Sequence, residues 1–242
     1  MSSFQEKLEK YAELAVKVGV NIQEGQTLVI RTPISAVELV RLVTKKAYEA
    51  GAKNVHVEWS DEEITKTKFE LAPDEAFHEF PEWIAKGHET LAEKGAAFLS
   101  ITGSNPDLLK NADPQRVSNW NKTSGKAMEG FRSYVMSDKV SWSIVAVPSE
   151  GWAQKVFPDL SVDKAMEQLW DAIFAATRID LADPVSAWKE HLGTLDSKMK
   201  TLNEKHYHAL HYQSEGTDLV IELPKHTFGL VGEVLIKMVY LL

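Results

Sequence analysis

The chain has 242 residues, a net charge of −8 and no cysteine, which is enough length for one large α/β domain or two smaller ones. The acidic balance argues against a nucleic-acid partner, and the lack of cysteine excludes disulfides, thiolate metal sites and a cysteine nucleophile. The sequence has no apolar run of about 18 residues to span a membrane, and its charged start does not resemble a signal peptide. We therefore expect a cytoplasmic protein.

The first part of the chain alternates helical and strand patterns. Apolar residues from Phe4 to Val18 recur at helical spacing, and a short apolar strand is predicted at 27–30. Ser35 and Glu38 have the spacing of a capping box, which predicts that a second helix begins there and ends at Gly51. With a further strand at 55–59, these segments form one β-α-β unit.

The same alternation continues through most of the chain. Mainly helical segments are predicted at 61–94 and at 113–135, the second opened by Asp113-Pro114. Strands are predicted at 96–102 and 140–147. Two long helices follow, at 166–174 and 185–202. This order predicts an α/β fold with a mainly parallel sheet and helices on both faces.

The pattern changes near His206. Polar and apolar residues then alternate around Glu215-Gly216, which is typical of a β-hairpin. We therefore divide the chain into an amino-terminal α/β domain (1–204), the start of a β-rich second domain (205–224) and a tail (225–242).

Histidines are the first candidates for a metal site. His88-Glu89 resembles the start of the zinc motif His-Glu-x-x-His, but Ala92 stands where the second histidine belongs, so we expect an exposed helical histidine. His206 and His208 would share one side of a strand, with His211 close by. No carboxylate at matching spacing completes the set, so ordinary packing is favoured over a metal site.

Two loops remain as candidates for a small-ligand site. Gly103-Ser104-Asn105-Pro106 follows a strand, where open α/β sheets bind ligands, and a second loop contains Glu150-Gly151. Neither has the glycine pattern of a phosphate-binding loop, so an ordinary turn is favoured for the first. The residues alone therefore identify no catalytic, metal-binding or cofactor-binding side chain.

The second half of the chain carries a set of specific sequence marks. They are Pro148, Trp152-Ala153, Arg178-Ile179, Asp183-Pro184, Trp188, His191, Leu202-Asn203 and Gly216-Thr217-Asp218-Leu219. Together with the opening segment and the segments at 47–59 and 120–135, which agree in order and spacing, these marks resemble the M29 aminopeptidases, a family of thermophilic-type metallo-aminopeptidases. The resemblance covers residues 1–224.

The resemblance implies a hydrolase that removes amino-terminal residues from peptides and uses two divalent metal ions, of the zinc, cobalt or manganese type. Two such ions can activate a bridging water while one polarises the scissile carbonyl. In the family the ligands belong to a carboxy-terminal domain, and the segment that supplies the first ligand has no counterpart here. We therefore assign no metal ligand and expect none bound by this chain. The resemblance also implies a homodimer.

The resemblance ends near Lys225. A shift of reading frame there would recover a family-like continuation, so we interpret 225–242 as a frameshifted tail that is loosely packed and prone to aggregation. On this interpretation the chain is incomplete and inactive alone. Two alternatives stay open: a non-catalytic binding or dimerisation module, and a small-ligand-binding α/β domain with its site at the Gly103 or Glu150-Gly151 loop.

Overall fold

The structure is a computed structural model that describes residues 3–225 and 227–229, so His226 and 230–242 of the predicted tail lie outside the described residues. None of the helices in this part is long and apolar enough to cross a membrane. The helices and strands are α1 (Phe4–Leu14), β1 (Thr27–Pro33), α2 (Val37–Glu49), β2 (Asn54–Ser60), α3 (Glu62–Leu71), α4 (Glu82–Glu93), β3 (Ala97–Thr102), α5 (Pro114–Ala127), α6 (Glu129–Met136), β4 (Trp142–Ala146), α7 (Glu150–Val156), α8 (Val162–Ala176), α9 (Pro184–Lys205), β5 (Ala209–Ser214) and β6 (Thr217–Glu222).

The main sheet has four parallel strands in the order β2-β1-β3-β4, which confirms the predicted α/β fold. One row of paired residues crosses it near the carboxyl ends of the strands: Glu58 pairs with Arg31, Arg31 with Ser100, and Ser100 with Ile144. After β1, the chain forms β2 on one side of β1 and then β3 on the other side. The gap between the carboxyl ends of β1 and β3 is therefore the topological switch point, where open α/β sheets bind ligands.

Helices cover the two faces of this sheet unequally. On the front face, Val29 and Phe98 pack with Ala92 of α4 and Phe131 of α6 in one buried cluster. On the back face, the core residues Leu28, Ile30 and Leu99 are fully buried. That face is covered by α2 and by the π-helical turn Ala15–Gly19, where Gly19 lies against the side chain of Ser143.

Tyr11 closes the outer edge of the sheet. Its hydroxyl accepts a hydrogen bond from the Ala146 N–H and donates one to the Ala146 carbonyl oxygen, each at 2.9 Å. Val147, the next residue, bonds inward to Thr102 of β3. Tyr11 therefore occupies the place that a fifth strand would take at Ala146, which blunts an exposed sheet edge.

Two local predictions need correction, and one short helix was not predicted. The capping box at Ser35 is wrong, because Ile34–Ala36 forms a short 3-10 turn and Ala36, without a side-chain cap, precedes α2. The single helix predicted over 113–135 is interrupted at Met128, which ends α5 and starts α6. The short helix α7, capped by Ser149, was not predicted.

The described chain forms two compact units, residues 3–185 and 186–229 without His226. The second unit holds most of α9 and the antiparallel pair β5–β6, which confirms the predicted hairpin. Gly216 has φ of 76° at its tight turn, a conformation that glycine adopts without strain. All residues of the two strands are exposed. The assignment of 205–224 to a second functional domain stays a prediction.

Candidate functional site

The helix layer on the front face has a gap over the carboxyl-terminal half of the sheet. Val29 is fully buried, whereas Arg31, two residues further on the same face of the same central strand, is exposed. Sheets of this kind are normally covered on both faces, so an exposed side chain on a central strand marks an opening. We call the row Glu58, Arg31, Ser100 and Ile144 the Arg31 crevice; Ile144 is 59% exposed at its outer end.

Arg31 supplies positive charge at the centre of the crevice. One guanidinium nitrogen, Nη2, donates to the Ser100 hydroxyl at 3.0 Å. In the part of the chain that the structure describes, no carboxylate forms an ion pair with this guanidinium. Because a guanidinium carries five N–H donors in a fixed fork, Arg31 retains donors for a planar anion.

Glu58, the neighbour of Arg31 on β2, lies between two imidazoles. Its Oε2 is 3.0 Å from His88 Nε2, and its Oε1 is 4.0 Å from His56 Nε2. Burial raises the pKa of Glu58, but the contact with His88 and the charges of His88, His56 and Arg31 outweigh it, so its pKa is lowered overall. Glu58 therefore stays ionised, with a third of its side chain exposed to the crevice.

His88 was predicted to be exposed, and that prediction is wrong. The residue is only 3% exposed, and its ring packs against Phe98 and Phe131. Its Nδ1 lies 2.8 Å from the Ile84 carbonyl oxygen. The signal for burial was the helical spacing of His88 with Ala92, the residue that breaks the zinc motif and packs in the core.

The buried Nε2 atom of His88 has no aligned hydrogen-bond acceptor. Its 3.0 Å approach to Glu58 is therefore mainly a contact between charges. Burial lowers the pKa of His88, but Glu58 and the Ile84 carbonyl outweigh burial, so the net pKa is raised. The pair thus favours an imidazolium beside a carboxylate.

The histidines of the hairpin do not form the arrangement predicted for them. His206 precedes β5 and has φ of 45°, and His208 precedes the first strand residue, so the two do not share one side of a strand. His211 lies on β5 and contacts Asp218 across the hairpin. Among the residues that the structure describes, no group of three or more histidines and carboxylates could hold a metal ion.

The two candidate loops lie against each other. A methyl group on Gly151 would overlap the side chain of Asn105, and one on Gly103 would overlap the carbonyl oxygen of Val147. The Asn105 N–H donates to Glu62 Oε1 at 2.7 Å, which ties the first loop to α3. The glycines thus permit close packing at the carboxyl edge of the sheet.

Comparisons with known proteins all point to one family. A family model described as "Thermophilic metalloprotease (M29)" matches residues 4–234. Aminopeptidase AmpS of Bacillus subtilis is 54% identical over 97% of this chain and 57% of its own length. Aminopeptidase T of Thermus aquaticus is 41% identical over 92% of this chain and 55% of its own.

A solved structure agrees with these sequence matches. Wild-type AmpT from Thermus thermophilus superimposes with a TM-score of 0.85 and 38% identity, covering 91% of this chain and 54% of that one. The chain therefore spans about half the length of the relatives that it matches. The family match reaches residue 234 and so includes part of the tail, whose departure from the family stays a prediction.

Proposed function

The chain belongs to the thermophilic metalloprotease family M29, and from this premise we propose that it is the amino-terminal part of a metal-dependent aminopeptidase. Such an enzyme removes residues from the amino ends of peptides. The match over residues 4–234, together with relatives named as aminopeptidases at 41–54% identity, is the observation that carries the proposal. Because the chain spans about half of those relatives, the proposal concerns the whole protein.

The proposal requires divalent metal, of the zinc, cobalt or manganese type, to activate water and polarise the scissile carbonyl. The described residues do not fit such a centre, because no suitable group of three ligands exists among them. Glu58 has two imidazoles nearby, but its Oε2 already contacts the buried His88. We therefore propose that this chain alone is inactive.

The α/β domain would then serve as a rigid support beside the catalytic centre. Its fully buried sheet residues Leu28, Ile30 and Leu99 give it a continuous core. The proposed substrate is a peptide. The homodimer that the family resemblance implies is also part of the proposal. So is the frameshift near Lys225.

A chimera tests the aminopeptidase assignment directly. Residues 1–224 of this chain would be joined to the remaining carboxy-terminal part of AmpS from Bacillus subtilis, a relative 54% identical to it. We expect the chimera to hydrolyse an amino-acid p-nitroanilide when zinc, cobalt or manganese is supplied, and a chelator to abolish the activity. Intact AmpS is the positive control, and the 242-residue chain is the negative one.

Circular dichroism and light scattering would establish that the chimera is folded. A folded chimera that is inactive with all three metals, while intact AmpS is active, would contradict the assignment and favour a non-catalytic module. Chelator-sensitive turnover by the 242-residue chain would instead contradict the proposal that it is inactive alone.

A further inference from the structure

We propose that the outer edge of β2 is an interaction surface that pairs with the same strand of a second copy of this chain. β2 lies at one end of the four-stranded sheet, so one of its edges has no neighbouring strand. The proposed function includes a homodimer but names no surface for it. The pairing rests on the backbone and side chains of β2, and neither metal nor hydrolysis is needed for it.

The two outer edges of the sheet differ in how well they are blocked. At β4, the Tyr11 hydroxyl bonds both backbone groups of Ala146 at 2.9 Å. At β2, the comparable contact is a single long hydrogen bond, in which the Val55 N–H donates to the exposed Tyr48 hydroxyl at 3.3 Å. An edge strand without such protection is a template for pairing with another chain. The β2 edge is therefore the one open to a partner.

Val57 and Trp59 present the open backbone groups of this edge. The Val55 N–H points away from β1, because it meets the Tyr48 hydroxyl and not a neighbouring strand. Backbone groups of alternate residues in a strand point to the same edge, so those of Val57 and Trp59 also face outward. Neither residue makes an outward backbone hydrogen bond within the described part of the chain. The side chain of Trp59 is 47% exposed, which leaves the edge accessible.

A two-fold axis at Val57 makes this edge self-complementary. Two copies of β2 then run antiparallel, and each Val57 exchanges two backbone hydrogen bonds with Val57 of the second copy. On either side, Val55 faces Trp59 of the second copy, which is an aromatic and β-branched pair of the kind that stabilises sheets. These outer pairs displace the Tyr48 hydroxyl from Val55, so one exposed hydrogen bond is exchanged for another.

The side chains between the hydrogen-bonded pairs select this register. The axis at Val57 places each His56 opposite Glu58 of the second copy. Residues in such non-hydrogen-bonded pairs have Cα atoms about 4.5 Å apart, so an imidazole N–H can reach the facing carboxylate. Glu58 Oε1 can accept this bond, because the imidazole of its own His56 is 4.0 Å away. An axis moved by one residue would instead place Glu58 opposite Glu58, or His56 opposite His56, and like charges directly opposite destabilise a strand pair.

Analytical ultracentrifugation and amide hydrogen exchange of the 242-residue chain test this proposal together. A seven-residue strand is a small contact beside the roughly 1,200 Å² of stable interfaces, so we expect monomer at about 1 µM and dimer at about 1 mM. Over the same range, exchange of the Val57 and Trp59 amide protons, followed by NMR, should slow in proportion to the dimer fraction. A dimer formed through another surface would leave these two amides unchanged.

Variants separate pairing at β2 from general self-association. Val57→Pro removes the central outward N–H and should abolish the dimer, and proline is tolerated in edge strands where the N–H faces solvent. His56→Glu places carboxylates opposite each other across the pair and should weaken association roughly tenfold or more. His208→Glu makes the same change at an exposed residue outside β2 and should leave association unchanged. If circular dichroism shows that Val57→Pro is unfolded, the comparison of His56→Glu with His208→Glu remains decisive.

Three results would overturn the proposal. The first is a mass that stays monomeric up to about 1 mM, the concentration at which a weak contact of this size should form. The second is a dimer in which the Val57 and Trp59 amides exchange as fast as in the monomer, because the contact would then lie elsewhere. The third is equal weakening by His208→Glu and His56→Glu. None of these results bears on hydrolysis by the chimera, which tests the proposed function independently.

Discussion

Replacing Tyr11 with phenylalanine removes a single hydroxyl from the edge of the main sheet. That hydroxyl is bonded to both backbone groups of Ala146 at 2.9 Å, and Tyr11 is 1% exposed. The ring contacts with Trp170 and Phe174, at centroid distances of 6.5 Å and 6.0 Å, persist in phenylalanine. The substitution therefore isolates the two hydrogen bonds.

Each buried backbone group left without a partner costs about 1–3 kcal/mol. Ala146 is half-buried, so we expect the lower part of that range for each group and a total loss of roughly 2–3 kcal/mol. For a domain of this size, such a loss lowers the melting temperature by roughly 4–12 °C. Tyr48→Phe is the matched control, because Tyr48 is 49% exposed and its hydroxyl accepts one exposed hydrogen bond from the Val55 N–H.

Urea and thermal unfolding followed by circular dichroism measure both variants. Burial also raises the pKa of Tyr11 to about 12, from about 10 in an unfolded chain. The folded state thus holds a proton that the unfolded state loses, and this contribution to stability disappears as pH rises from about 10 to about 12. Tyr11→Phe should lack that part of the pH dependence. If it destabilises no more than Tyr48→Phe, the hydroxyl does not hold the sheet edge.

The remaining predictions concern the crevice, the loops and the metal. In the folded state the pKa of Glu58 is lowered and the pKa of His88 is raised. The stabilisation from this pair should therefore be lost as pH falls through the folded pKa of Glu58, and also as pH rises through the folded pKa of His88. Urea melts at several pH values should show this bell-shaped profile, and His88→Gln should flatten it. Gly103→Ala should lower the free energy of unfolding by about 1–3 kcal/mol, because its methyl group overlaps Val147. Gly193→Ala lies in an unobstructed helical position, so it should be neutral or stabilise the protein by up to about 1 kcal/mol. Equal melting temperatures for these two variants would refute that reasoning. Calorimetry should show that zinc, cobalt and manganese bind the 242-residue chain no tighter than about micromolar, because a two-metal centre needs several clustered ligands. Nanomolar binding of any of these metals would contradict this prediction.

The sequence was sufficient to predict the α/β fold because its strands are short apolar runs separated by amphipathic helices. The resemblance to M29 aminopeptidases, based on marks such as Trp152-Ala153 and Asp183-Pro184, is confirmed by the family match. Local boundaries were harder to predict. Ser35 and Glu38 fit a capping box by spacing, but the chain forms a 3-10 turn there, so the box does not form.

The candidate site could not be predicted from spacing, because its residues come from four strands and one helix. Arg31, Glu58 and Ser100 are far apart in the sequence, and only the parallel register places them in one row. Charged residues within strand patterns were the available signal, since a sheet covered on both faces favours continuous apolar runs. His88 was misinterpreted because its motif was considered without the helical periodicity that buries it.

We propose that this chain is part of an enzyme that acts from the amino end of peptides. Mass spectrometry of a defined peptide incubated with the metal-loaded chimera tests this proposal most directly. We predict a ladder of products, each one residue shorter at the amino end, and no change in the same peptide when its amino terminus is acetylated. Cleavage within the peptide, loss of residues from its carboxyl end, or equal degradation of the acetylated peptide would contradict the claim.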